Sequence, residues 1–281
     1  MNLNDFFHLI TTRVTTSAPD RQGTAFYFHR FADPLDPQAG PQWRKISNTW
    51  LVTNRHLALR EHEGEEILRT EFTFYLRRLN DQKLEWEPIT LSQEEFKRRA
   101  LFHTNSEVDI AVIEVGDLIS SRMRDQTKKY LSHCSVSAEM FVGQNMIDIQ
   151  ASDDVLVVGY PHGYYDSVNL YPIIKSGIVA SRWGAGFEGK RYFIIDAKLF
   201  PSSSGSIVVS KPLNIVIENG NIMHSKEKQF AFLGIFSAML FLKNEETIAG
   251  QINSNDLDVN IGVVWYAQLI DEIIDKGAHH D

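Results

Sequence analysis

The sequence predicts an all-β fold of antiparallel sheets, arranged as sandwiches or barrels and followed by a C-terminal helix. Short apolar or alternating runs, rich in aromatic and β-branched residues, recur along nearly the whole chain. Turn formers separate them. Helical patterns are few and local, so the strand–helix–strand alternation of a parallel sheet is missing.

The first set of predicted strands comprises Thr24 to Phe28, Thr49 to Thr53, Glu71 to Arg77, Leu84 to Leu91 and Asp109 to Val115. Within it, Ser92-Gln93-Glu94-Glu95 has the form of a capping box, in which a serine oxygen and a glutamate three residues later satisfy each other's exposed amides. It predicts a helix from Gln93 to Leu101. A second helix, predicted from Leu118 to Leu131, lies in the break between the two strand sets and reads as their connection. The second set comprises Asp154 to Gly159, Tyr171 to Ala180, Tyr192 to Phe200, Ser206 to Ser210, Asn214 to Ile217, Ile222 to Ser225, Phe230 to Leu242 and Asn260 to Trp265. Asn219-Gly220 is a tight-turn dipeptide between two of these strands. A last helix is expected from Gln268 to Asp275, with Lys276 to Asp281 as a frayed tail. The chain thus divides into strand units 1–116 and 146–266, a helical connection 117–145 and a closing segment 267–281.

Acidic residues number 36 against 28 basic ones, for a net charge of −8, so there is no broad positive field to neutralise phosphates. Nucleic acid is not the expected partner. Lys97-Arg98-Arg99 and Lys128-Lys129 sit in segments with helical character beside acidic residues and read as solvated faces. Cys134 is the only cysteine, which rules out an intramolecular disulfide and suits a reducing compartment. Met1 to Ser17 lacks the long apolar run of a signal peptide, and no stretch approaches the roughly twenty apolar residues of a membrane span. A soluble, cytoplasmic protein without membrane partners is expected. His62-Glu63-Gly64-Glu65-Glu66 does not form a His-Glu-x-x-His pattern and reads as a charged surface loop, so neither a metal nor another cofactor is expected.

Three segments carry chemistry when taken together. Trp50-Leu51-Val52-Thr53-Asn54-Arg55-His56 is an apolar strand that ends at a histidine. In Val108-Asp109-Ile110-Ala111-Val112-Ile113 an aspartate opens an apolar strand, where a partly buried carboxylate needs a donor such as an imidazole N–H. Phe200-Pro201-Ser202-Ser203-Ser204-Gly205-Ser206 is a small-residue loop that feeds a buried strand and can expose a serine oxygen while neighbouring amides converge. Each has an ordinary structural reading when viewed alone. Their order, His then Asp then Ser, is that of the chymotrypsin type and differs from the subtilisin and α/β-hydrolase orders.

At these residues the chain resembles the trypsin-like peptidases of bacteria, the branch that includes the catalytic domain of the high-temperature-requirement proteases. The likeness spans most of the sequence. Leu51 to His56, Asp109-Ile110-Ala111-Val112, Val157-Val158-Gly159-Tyr160-Pro161-His162-Gly163, Lys175 to Val179, Asp196-Ala197, Ser202 to Ser206, Leu233 to Ser237 and Ile261 to Val264 match family motifs in order. The resemblance implies two antiparallel six-stranded β-barrels with the active site between them. His56 and Asp109 would come from the first barrel and Ser204 from the second, as a catalytic triad. The oxyanion hole would be built from Ser202, Ser203 and Ser204, with the first and last donating amides and Ser203 adding rigidity. Lys198, Ser237, Ala238 and Met239 would contact substrate.

Ser202 departs from the family, which places glycine there, and Ile207 replaces the usual proline. Ser203 stands where secreted digestive members carry the aspartate that pairs with a newly cleaved N-terminus, so activation by propeptide removal is not expected. The reading is a serine endopeptidase acting on proteins or peptides. A protease in the cytoplasm is expected to be held inactive until a protein partner or a ligand orders its oxyanion loop, a logic that bacterial defence effectors would fit. The competing reading is an inactive protease fold kept as a protein-binding or regulatory module.

Overall fold

The computed structural model describes residues 3–17, 21–33, 44–144, 147–218, 221–242 and 257–280. The N-terminal part carries helix α1 (Leu3–Leu9), strands β1 (Thr11–Thr16), β2 (Arg21–Phe31) and β3 (Ile46–Thr53), and helix α2 (Arg55–Ala58). There follow β4 (Leu59–His62), β5 (Glu65–Leu68), β6 (Glu71–Asn80), β7 (Lys83–Ser92), α3 (Gln93–Arg99), β8 (Ala100–Phe102), β9 (Ala111–Glu114), α4 (Gly116–Met123) and β10 (Lys129–Tyr130). The C-terminal part carries β11 (Asp154–Gly159), β12 (Ile173–Val179), β13 (Tyr192–Asp196), β14 (Ile207–Ser210), β15 (Leu213–Glu218), β16 (Asn221–Gln229), β17 (Phe232–Leu242), β18 (Leu257–Tyr266) and α5 (Gln268–Lys276).

Strands β11, β12, β13, β18, β17 and β14 close into a six-stranded antiparallel barrel. The N-terminal part forms an eight-stranded sheet in the order β10-β6-β1-β2-β3-β9-β8, with β7 on β6. The expectation of two six-stranded barrels is therefore met once. In the first sheet no strand pairing closes the ring among the described residues. No helix among the described residues is long and apolar enough to cross a membrane.

Side-chain alternation explains the burial of each sheet. In β6, Phe72, Phe74 and Leu76 face the core while Glu71, Thr73 and Tyr75 are more open, as the two-residue period of a strand requires. Phe96 of α3 stacks on Phe72 with ring centroids 4.8 Å apart. Emptying such a site costs about 3–5 kcal/mol. The capping box of α3 is present in full, with the Ser92 side chain and Glu95 exchanging bonds with each other's backbone amides.

Sheet and barrel share one apolar cluster, in which Phe26 of β2 meets Phe232 of β17 edge to face at 5.4 Å. Arg77 of β6 crosses the same junction while buried, donating to the Leu170 carbonyl at 3.0 Å and the Tyr160 hydroxyl at 2.7 Å. A buried guanidinium is tolerated because these acceptors satisfy its N–H groups.

Several local expectations change. The helix at Gln93 ends at Arg99, because Ala100–Phe102 pairs with β9. The helix expected to reach Leu131 stops at Met123, and Lys129–Tyr130 joins the first sheet beside β6. Asp125 enforces that stop by accepting from both the amide and the hydroxyl of Thr127, an Asx turn. The charged stretch read as a loop is a β4–β5 hairpin, turned by Glu63 (φ 54) and Gly64 (φ 85) in the doubly left-handed form that suits two-residue hairpins. Asn219-Gly220 lies outside the described residues.

Candidate active site

Strand β3 delivers His56. Its residues from Trp50 to Thr53 are buried, and Asn54 then starts the single turn of α2 that carries the histidine. Asn54 does not cap that turn with its side chain; its Nδ2 donates to the Asp109 carbonyl at 2.8 Å, tying the end of β3 to the start of β9. Asp109 is thereby placed against the histidine. Its Oδ1 accepts the His56 amide at 2.9 Å and its Oδ2 accepts from His56 Nδ1 at 2.8 Å. An ionised carboxylate only accepts, so Nδ1 carries the proton and Nε2 is left with a free lone pair.

A third donor reaches the same carboxylate. The Ser237 hydroxyl, buried on β17, donates to Asp109 Oδ2 at 2.5 Å. Ser204 Oγ, in turn, donates to the Ser237 carbonyl at 3.0 Å. Ser237 is therefore the residue through which the His56–Asp109 pair of the sheet and the Ser204 loop of the barrel meet. The Ser204 hydrogen points to that carbonyl and not to the imidazole.

The loop itself is held by backbone bonds. The amides of Ser203, Gly205 and Ser206 donate to the carbonyls of Phe200, Phe236 and Ser203, and the Thr24 amide donates to the Ser204 carbonyl at 2.9 Å. Thr24 also receives the Tyr160 amide on its hydroxyl at 3.0 Å, and its carbonyl accepts the Thr53 hydroxyl at 2.7 Å. Gly205, at φ 83, packs so closely on the Thr24 carbonyl and Thr53 Oγ1 that a Cβ has no room. Ser202 takes the left-handed conformation with φ 66, the region glycine enters freely and serine at a cost.

Among the described residues, the amides of Ser202 and Ser204 donate to no protein acceptor, whereas that of Ser203 is engaged by Phe200. These two unengaged amides, one of them the serine's own, can receive developing negative charge, whereas the Ser203 amide is spent within the loop.

Of the residues assigned to substrate, Ser237 is buried beneath the site, Met239 is half-buried, and Ala238 and Lys198 are exposed. Lys198 neighbours Lys175, whose ammonium sits 4.3 Å above the Phe200 ring and is held below the usual lysine value by burial, with the like charge of Lys198 second. Cys134 belongs to the buried core, where desolvation pushes its thiol up to about 11, a poor setting for a nucleophile. Among the described residues no group of histidine, cysteine and acidic side chains is arranged to hold a metal ion.

Sequence reading missed Thr24, Asn54 and the supporting role of Ser237. Asn54 left a trace, as a polar residue ending an apolar strand two positions before the histidine. Thr24 left none, since its partner Ser204 is 180 positions away and only the folded chain joins them.

The model of the trypsin-like peptidase domain matches residues 42–216, a span that includes His56, Asp109 and Ser204. Among solved structures, an HtrA-type protease, AlgW with a decapeptide, shares 16% identity over 98% of this chain and 67% of its own, with a TM-score of 0.43. The tobacco vein mottling virus protease shares 12% over 99% and 87% of the two chains, TM-score 0.45. An inactivated protease paralogue of the scabies mite shares 12% over 95% and 96%, TM-score 0.45. No curated protein matches the chain.

Proposed function

Because the chain belongs to the trypsin-like peptidase domain family, we propose that it is a serine endopeptidase that cleaves peptide bonds through Ser204, His56 and Asp109. The observation that carries this reading is the bonded path Asp109–Ser237–Ser204, which sets a histidine–carboxylate pair from the sheet beside a serine loop from the barrel.

In this reading the Ser204 hydroxyl turns about its Cα–Cβ bond from the Ser237 carbonyl to His56 Nε2. The oxygen attacks the peptide carbonyl carbon while Nε2 takes its proton, and the imidazolium then gives that proton to the departing amine. Asp109 keeps the ring in the productive tautomer and stabilises its charged form. The amides of Ser202 and Ser204 receive the carbonyl oxygen as it becomes an oxyanion, a contact worth about 10²- to 10³-fold per donor. Water repeats the sequence on the acyl-enzyme with the histidine as base.

The resting hydrogen bond of Ser204 to Ser237 supports a form of this enzyme that waits in the cytoplasm for substrate or an activating protein to complete the site. The second reading, an inactive fold used for protein binding, draws on the same bond. Labelling with a fluorophosphonate probe, wild type against Ser204→Ala, with and without lysate of the source cells, decides between them. Labelling that needs Ser204 supports the protease, and dependence on lysate supports the partner. No labelling under any condition would overturn the protease reading in favour of the binding module.

A further inference from the structure

A cleft of about 450 Å³ opens beside His56, and its walls carry Arg21, Arg60 and Arg69. They come from three places in the chain: the first residue of β2, the middle of β4, and the residue just after β5, whose amide bonds to the Ala58 carbonyl at 3.1 Å. Two acidic residues share the wall, Glu61 and Glu66. Glu66 is already taken, since both of its oxygens accept from Arg55. Three arginines therefore line the cleft, the buried Arg69 donating to the Ser17 carbonyl at 3.2 Å, against one carboxylate, Glu61, that is uncommitted among the described residues, in a protein whose net charge is −8.

Arg21 and Arg60 form no ion pair among the described residues, and Arg60 Nε is buried there without a hydrogen-bond partner. Burial, then the like charges of Arg21 and Arg60, lower Arg69 from the ordinary arginine value. Like charges crowded into a partly dry cleft destabilise one another unless an anion enters, and guanidinium groups bind carboxylates in a geometry that ammonium groups do not match.

The cleft also has a defined side. Ser204 is gripped on one flank by Ser237, whose strand continues to Met239, and on the other by Thr24, three residues after Arg21. A peptide whose acyl side runs along Ser237–Met239 sends its leaving-group side past His56 toward Arg21.

We infer that this cleft receives a carboxylate of the substrate on the leaving-group side of the scissile bond, supplied by an acidic side chain just after that bond or by the chain terminus. The assignment of side rests on the protease reading above. The presence of an anion cleft beside His56 does not.

The decisive experiment needs no turnover. The Ser204→Ala protein is titrated by NMR with amidated tetrapeptides of alanine that begin with glutamate, glutamine or lysine, and with the glutamine peptide as its free acid. The glutamate peptide is expected to bind about tenfold tighter than the glutamine one, as a charge-assisted pair implies. That advantage should vanish in the Arg21→Gln/Arg60→Gln variant and shrink on the order of 1 M salt. A free-acid glutamine peptide that binds as tightly identifies the chain terminus as the preferred source. Equal binding of all the peptides, or an advantage that survives the double variant, would overturn the inference. In parallel, wild-type digestion of a random peptide library should enrich acidic residues at the new N-termini. If the wild type neither digests the library nor labels with fluorophosphonate while the tetrapeptide result stands, the protease reading fails and the anion cleft remains.

Discussion

Ser204 Oγ and the Ser237 carbonyl lie 3.0 Å apart, and this bond, not one to His56, holds the serine hydrogen. The Ser237 hydroxyl meanwhile donates to Asp109 Oδ2. One residue thus governs both the rest position of the Ser204 hydroxyl and the anchoring of the carboxylate that faces His56.

Replacing Ser237 with alanine leaves its carbonyl and removes its hydroxyl. Asp109 then loses one of its three donors, and the variant is expected to lose about 1 kcal/mol of stability and about tenfold in kcat/KM. Ser237→Thr, which restores the hydroxyl, should recover most of the rate. A rate unchanged in Ser237→Ala would exclude the positioning role.

Asp109→Asn keeps a bond to the histidine but reverses its sense. The amide NH₂ donates to Nδ1, which moves the ring proton to Nε2, where no proton can be taken from Ser204. Steady-state kinetics should show a loss of about 10⁴-fold in kcat. The expected circular dichroism spectrum is that of wild type.

Gly205→Ala places a methyl group against the Thr24 carbonyl at a φ of 83 that alanine resists. The loop must shift, and with it the Ser204 carbonyl that Thr24 holds. The variant should lose fluorophosphonate labelling and about 3 kcal/mol in urea unfolding.

Ser202→Gly tests the opposite case. Its φ of 66 is already left-handed, so glycine relieves local strain at the same geometry. Stability is expected to rise by about 1 kcal/mol with activity retained. A fall in stability would mean that the serine side chain holds the loop.

Two histidines set the acid response of the fold. Burial lowers His133 to about 4, with its Nδ1 buried and unpartnered among the described residues and its ring on Tyr27. Burial also lowers His29. Below about pH 6.5 the unfolded chain takes up protons at these positions before the folded one does, so stability is present above that pH and falls toward pH 4. Between pH 7 and pH 5, His133 alone should account for about 2 kcal/mol of that fall. Urea midpoints at pH 7 and pH 5, compared with His133→Gln, check the slope.

Most strands were legible because alternation and apolar runs encode burial locally: Phe72, Phe74 and Leu76 announce the inner face of β6 without reference to anything else. Helix α3 was legible through Ser92 and Glu95, three residues apart. The elements that were misread or unread depend on distant partners. Ala100–Phe102 left the helix pattern because β9 lay ready to pair with it, and Lys129–Tyr130 because β6 offered an edge. The β4–β5 hairpin hid behind its charges, although Glu63-Gly64 carried the turn.

By itself the sequence determined the β-rich class, the order of histidine, aspartate and serine, and the loop of small residues around Ser204, since these reside in neighbouring side chains. Folding alone brought the Ser237 hydroxyl to Asp109, the Thr24 amide to the Ser204 carbonyl, and Arg21, Arg60 and Arg69 to one cleft beside His56. The physical reason is range: alternation and turn chemistry act over a few residues, whereas a hydrogen bond or a charge cluster is set by which strands become neighbours.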